Sequence, residues 1–369
     1  AGEAEVAELT AGWLRAWGLS VEMSEVAAGR WNVVGRLEGD GDGPTLLLNG
    51  HLDTVGVTGM TVEPFGGELQ DGRLWGRGAC DMKGGVAALL AATAKVARDP
   101  LPGTLVVALT ADEEHASLGM ESLVRSGMSA DAAVICEPTG LAVMPAHKGF
   151  VWLEVAFRGR AAHGSRPDAG IDAIEHAGHY LTALGALRSR LRAGEPHPLL
   201  GHGSFHAGTI DGGSAPSVYP DVCRLVLERR TLPGEGAAGV VDEFQAILDD
   251  LAAVVPEFDA KLTQGLARPA TEIRNDSPLV AGLLAACAAE GVDPMLAGMT
   301  AWVDAAFLNQ AGTPSVCFGP GSIAQAHSAD EWIECSEIVT CAAVLERFSH
   351  AFLQGDPGEM VTDVLAEAG

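Results

Sequence analysis

Three short, almost wholly apolar runs, each stopping on acidic residues or a histidine, constrain this chain more than any other feature. TLLLNG (45–50) stops on His51-Leu52-Asp53, TLVVALTA (104–111) on Asp112-Glu113-Glu114, and DAAVIC (131–136) on Glu137-Pro138. GRGACDMKGG places Asp81 just ahead of a helical pattern. A strand apolar at every position suits a sheet covered on both faces. Open sheets of that kind keep their sites beyond the carboxyl ends of the strands. A carboxylate drawn into such a place needs a partner or a metal to offset its desolvation.

The spacing of apolar residues predicts a helix over 3–17, strands around 19–26 and 31–37, and a GDGDG turn at 39–43. Residues 55–75 read as a long active-site loop or small hairpin. A helix follows from Met82 to Arg98, with Asp81 as a candidate N-cap, and a short helix spans 117–126. Strand, helix, strand, helix, strand is the grammar of a mostly parallel sheet. From Gly149 the texture changes. VWLEVAFRG alternates like a half-buried strand, an interrupted helix crosses 170–192, and strands are expected near 205–210, 222–229 and 259–264, with a helix at 237–252. After 266 the first texture resumes: helices at 277–290, 303–311 and 334–353, a strand at 314–318, and a short tail helix. The expected fold class is therefore α/β. A doubly wound, mostly parallel catalytic domain (1–148 and 267–369) is interrupted by an inserted α+β domain (149–266).

The 369 residues carry 23 Lys+Arg against 49 Asp+Glu, a formal charge of −26. That excess repels nucleic acid and anionic membrane, so neither is an expected partner. The seven cysteines are scattered without a CxxC pair, which suits a reducing compartment and a cytoplasmic location. No signal peptide or long apolar span is present. The chain opens on Ala1 directly into a helical pattern, which suggests a natural N-terminus trimmed or extending further back.

Read for chemistry, His51 offers an imidazole at a strand end, and Asp53, two residues on, can point the same way. An acid that holds the second nitrogen of a liganding histidine fixes its tautomer, the role expected of Asp53. Asp81 is a candidate bridging ligand. Glu113 and Glu114 are adjacent, so one can bind metal while the other faces substrate as a base. With Glu137 and His327 they give a ligand set of His51, Asp81, Glu114, Glu137 and His327. Imidazoles and carboxylates without thiolate suit two Zn(2+), with Co(2+) or Mn(2+) as substitutes. No G-x-G-x-x-G or P-loop pattern opens a helix, and no serine or cysteine sits in a nucleophile elbow.

The order HLD, GRGACDMKGG, TADEE, CEPT, GRAAHGSRPDAGIDAI, GGSAPSVYPD, RRTLPGE and FGPGSIAQAHSADEW resembles the M20 metallopeptidase family through nearly the whole chain. The similarity is to the branch of acetylornithine deacetylases, succinyl-diaminopimelate desuccinylases, aminoacylases and glutamate carboxypeptidases. The resemblance implies a zinc-dependent hydrolase of linear amide or peptide bonds, with an inserted lid that also makes a homodimer. It implies that Asp81 bridges two ions, with Glu114 and His327 on one and His51 and Glu137 on the other. It makes Glu113 the general base, His163 the histidine that polarises the scissile carbonyl, and Arg230 the grip on the substrate carboxylate. The implied substrate is an N-acyl-L-amino acid; the alternative is a short peptide with a free carboxylate, cut by a glutamate-carboxypeptidase-like or dipeptidase-like enzyme. Two departures bear on substrate identity. Ser217 stands where the family often has a substrate-contacting asparagine, and Val303 where threonine is common.

Overall fold

A computed structural model describes residues 2–355. The chain forms two compact units: one from the described parts of Ala1–Pro145, Glu272–Met299 and Val303–Gly369, the other from Ala146–Thr271 with Thr300–Trp302. The architecture is an α/β unit with an α+β unit inserted into its sequence.

In the first unit, Leu46, Leu47, Leu48, Val106 and Val107 are all fully buried, as strands covered on both faces require. Thr45–His51 lies parallel to Thr104–Thr110 on one side and to Ala132–Ile135 on the other, and Ser315–Cys317 extends the parallel centre. Ser20–Ala27 and Arg30–Leu37 add an antiparallel edge beyond Thr104–Thr110. Alternate side chains enter opposite layers. Leu46, Leu48 and Val107 pack with Leu89, Leu345 and Phe348, from the helices Gly84–Val96 and Cys335–Leu353. The register puts His51 beside Thr110. The turns carrying Asp53 and Glu113-Glu114 therefore leave the sheet at the same end.

The 55–75 segment resolves as a hairpin, Glu68–Gln70 with Arg73–Trp75, joined by Trp332–Glu334 in a small separate sheet. Two short strands, Val143–His147 and Leu296–Met299, form where the residue pattern predicts none. Asp81 is not an N-cap. It sits at φ −118, ψ 97 inside the irregular turn Ala79–Lys83, and the helix begins after Lys83 without a side-chain cap.

In the second unit, Ser204–Gly212, Val222–Thr231, Gly149–Arg158 and Asp259–Arg268 form an antiparallel sheet in that order. Val151, Leu153, Val155 and Phe157 are buried while Trp152, Glu154 and Arg158 are exposed, so helices cover one face only. The helix Ala173–Ala193 is continuous rather than interrupted. Asp172 caps it by accepting from the Ile174 and Glu175 N–H groups. Tyr180, Leu184 and Leu187 pack on the sheet and outweigh the low propensity of Gly178 and Gly185. The expected tail helix lies outside the described residues. Among those residues no helix is long and apolar enough to cross a membrane.

Candidate active site

The strand Thr45–His51 delivers His51 fully buried at its last position. His51 Nδ1 lies 3.1 Å from the Asp53 carbonyl oxygen, which leaves Nε2 to face Asp81 Oδ1 at 3.2 Å. The Asp53 carboxylate is 3.5 Å from Nδ1. Its two oxygens accept instead from the backbone N–H groups of Glu113 and Glu114, at 3.1 Å each. Asp53 thus fixes the imidazole through its carbonyl and the double-glutamate turn through its carboxylate.

The other oxygen of Asp81, Oδ2, lies 3.4 Å from His327 Nε2, and the same nitrogen is 2.9 Å from Glu114 Oε2. Asp81 therefore belongs to two groups of three whose ligand atoms lie within 4.8 Å of one another: His51, Asp81, Glu137 and Asp81, Glu114, His327. One carboxylate shared between two such groups is the arrangement that holds a pair of cations.

The electrostatics fit such a pair. Burial pushes the Glu137 carboxyl well above the usual carboxylate range; His51 opposes the shift, and Asp81, Glu114 and Asp304 reinforce it. Glu113 is raised in the same way, by burial first and then by Glu137, Asp304 and Glu114 against the pull of His51. Burial disfavours a charged His51, but its hydrogen bonds to Asp53 and Asp81 outweigh that and hold its pKa well above normal. His327 is pushed up to about 10 by its hydrogen bonds to Asp81 and Glu114. Glu114 Oε1 and Glu137 Oε1 are buried without a hydrogen-bond partner among the described residues. Two oxygens in that condition, beside imidazole nitrogens already turned toward carboxylates, fit divalent cations.

The comparisons agree. Residues 47–351 match the profile of Peptidase family M20/M25/M40. The chain belongs to this family. An acetylornithine deacetylase from Myxococcus xanthus is 33% identical over 353 residues, covering 93% of this chain and 90% of that protein. In structure, the chain is similar to a tripeptidase from Staphylococcus aureus (TM-score 0.81, 22% identity, 95% of this chain and 93% of that one). It is also similar to an M20 family metallo-carboxypeptidase from Sulfolobus solfataricus (TM-score 0.78, 15% identity, 95% and 94%). The site is that of an M20 metal-dependent hydrolase with positions for two metals.

His163, Ser217 and Arg230 lie in the inserted unit of this M20 chain. The His163 and Ser217 loops are paired: His163 bridges Val218, and the Gly164 N–H donates to the Ser217 carbonyl at 2.7 Å. The Ser165 N–H donates to His163 Nδ1 at 3.2 Å, with Ser165 Oγ at 2.8 Å. A nitrogen that accepts from a backbone N–H carries no proton of its own, so the neutral ring is protonated on Nε2. Arg229 and Arg230 separate cleanly. Arg229 is buried and paired with Glu235 and Glu243, whereas Arg230 is half-buried on the alternate face, beside Phe150 and Glu228.

Several supporting residues take a role that the sequence pattern does not assign. Arg30 ties Glu3, Asp53 and Asp112 together at 2.9, 3.4 and 2.8 Å. Asp112, in the left-handed region at φ 68, gathers the Ala116 and Ser117 N–H groups onto its carbonyl and shapes the turn after Glu113-Glu114. Asp304, buried, adds negative charge behind Glu113 and Glu137.

Proposed function

We propose that this M20 hydrolase cleaves the amide bond of N-acyl-L-amino acids in the manner of an acetylornithine deacetylase, with two zinc ions. The observation that carries this reading is Asp81, whose two oxygens face His51 and His327 separately. The similarity to the Myxococcus xanthus deacetylase along most of the chain supports the substrate class. His51, Asp81 and Glu137 would hold one ion and Asp81, Glu114 and His327 the other. Nitrogen and oxygen ligands without sulfur suit zinc, with cobalt or manganese as substitutes. When bound, such a pair lowers the pKa of a water toward neutrality and withdraws charge from the scissile carbonyl.

Glu113 takes the proton of the attacking water and returns it to the leaving nitrogen, so amide and water become carboxylate and amine. His163, with its proton on Nε2, donates to the carbonyl oxygen as negative charge develops there. Arg230 binds the substrate carboxylate. Glu228 engages its Nε at 2.7 Å and leaves the Nη1/Nη2 edge for a bidentate pair. Ser217, beside His163, contacts the remaining substrate.

His163→Ala should lower kcat by about 10²–10³-fold, the cost of removing one oxyanion donor. Ser165→Ala should cost only about 2–10-fold, because the Ser165 backbone N–H still fixes the tautomer. In both, KM should change little; a reversed order of the two effects in steady-state kinetics would sink the assignment.

The proposed second copy would add along the edge strand Ser204–Gly212, which pairs with Val222–Thr231 on one side of the sheet and is exposed at nearly every position. All seven cysteines are free thiols, which supports a cytoplasmic location. The fold likeness to a tripeptidase and a metallo-carboxypeptidase keeps short peptides with a free carboxylate as the second reading. A zinc- and cobalt-supplemented comparison of N-acetyl, N-succinyl and N-carbamoyl amino acids with dipeptides decides between them. Acyl amino acids should show the higher kcat/KM, and faster dipeptide cleavage would transfer the enzyme to the peptidases.

A further inference from the structure

Outside the ligand set, Glu331 is a fully buried side chain beside the site. Its Oε1 accepts from the Cys80 and Asp81 N–H groups at 2.9 and 3.0 Å. Its Oε2 accepts from the Gly78 N–H at 3.0 Å and from Arg77 Nη1 at 2.7 Å. Four donors on one carboxylate saturate its lone pairs, and all four come from residues 77–81, the segment that leads into and presents Asp81. Arg77 completes the link in the other direction: its Nη2 donates to the Ser328 carbonyl at 3.2 Å, one residue after His327. The Gly76 N–H donates to the Glu331 carbonyl at 3.1 Å. Two segments about 250 residues apart are thereby sewn together beside the 3.4 Å approach of Asp81 to His327.

We infer that Glu331 and Arg77 are positioning residues that set the spacing between Asp81 and His327, and so govern the cation position formed by Asp81, Glu114 and His327. The inference rests on the ligand assignment proposed above. Its asymmetry follows from what holds each ligand. His51 is fixed at a strand end with Nδ1 on the Asp53 carbonyl, and Glu137 follows directly from the strand Ala132–Ile135. Neither is bonded to residues 328–331, so the shared Asp81 is the one ligand of that position tied to the clasp. On the His327 side the clasp holds both partners: Asp81 through its backbone, and the His327 loop through Ser328. His327 itself stands at φ 61, in the left-handed region, where a histidine persists only if its surroundings hold it. The clasp supplies part of that restraint.

Glu331→Gln keeps the shape but turns one acceptor into a donor, which then faces either Arg77 Nη1 and the Gly78 N–H together or the Cys80 and Asp81 N–H groups. Arg77→Lys keeps the charge but cannot reach Glu331 and Ser328 at once through a planar fork. The experiment loads the full-length protein and both variants with cobalt(II), competes the metal with graded chelator, and counts the ions retained. Wild type should release its two ions in two steps. Both variants should weaken one step by about 10–100-fold, the usual cost of losing a residue that supports a ligand, and weaken the other, which shares only Asp81 with the clasp, clearly less. The cobalt absorption of the retained ion should keep its wild-type form. Equal weakening of both steps, or no change in either variant, overturns the clasp. If Glu331→Gln does not fold, Arg77→Lys alone decides. Failure of the wild type to bind two ions would refute the ligand assignment itself, and is read separately from the variants.

Discussion

Glu113→Gln should lower kcat by about 10²–10⁴-fold, the range lost with a positioned general acid–base, while both ions stay bound and KM stays close to wild type. The amide has almost the same shape and keeps the backbone N–H that Asp53 holds at 3.1 Å, so the turn after the strand Thr104–Thr110 should survive. What is lost is the ability to accept a proton from water. Glu113 sits among Glu137, Asp304 and Glu114, which raise its pKa together with burial. Neutralising it therefore removes repulsion, and the metal-free variant should unfold at higher denaturant than the metal-free wild type above about pH 5. Steady-state kinetics with parallel metal analysis checks the first part. Turnover near wild type with two ions bound would leave the water's proton to another group.

The sequence exposed the parts of this site that obey local rules. Apolar runs ending in acids located His51, Asp53, Glu113, Glu114 and Glu137, because a strand buried on both faces has few ways to spend a charge except at its end. It could not expose the parts that depend on distant pairing. Glu331 lies in a motif string next to His327, yet its partners are residues 77–81, and no periodicity relates positions 250 apart. Arg30 likewise gains meaning only when the antiparallel edge strand brings it beside Asp53 and Asp112. The helix Ala173–Ala193 fails in the opposite sense: the sequence reads as an interrupted helix, and tertiary packing of Tyr180, Leu184 and Leu187 keeps it continuous. Short strands such as Leu296–Met299 carry too few residues for alternation to register. Asp53 shows the subtler case, where the residue is named correctly but the sequence cannot say that its carboxylate grips a backbone turn more closely than the imidazole.

Glu137→Gln should show opposite stability effects with and without metal. In the metal-free protein the Glu137 carboxyl is raised above its unfolded value, chiefly by burial. The sign follows from proton linkage. Above about pH 4.5 the unfolded chain has released this proton while the folded chain still retains it, so stability falls as pH rises from there toward the folded pKa. Glutamine has no proton to release. The metal-free variant should therefore be more stable than metal-free wild type at neutral pH, and the gap should close as pH falls toward 4.5. With metal the order reverses. The variant lacks an anionic ligand at the His51–Asp81–Glu137 position, and that ion should bind weaker by more than the roughly 10–100-fold that loss of a supporting residue costs. Wild type gains RT ln(1 + [L]/Kd) from the ion, about 4 kcal/mol at a thousandfold excess over Kd, and the variant forfeits most of it. Catalysis should fall with the ion, by three orders of magnitude or more if the lost polarisation is worth several kcal/mol. Denaturant unfolding of both proteins, with excess zinc and with chelator, measures the crossing directly. Parallel curves that never cross would mean that Glu137 answers to the protein's own hydrogen bonds rather than to a cation.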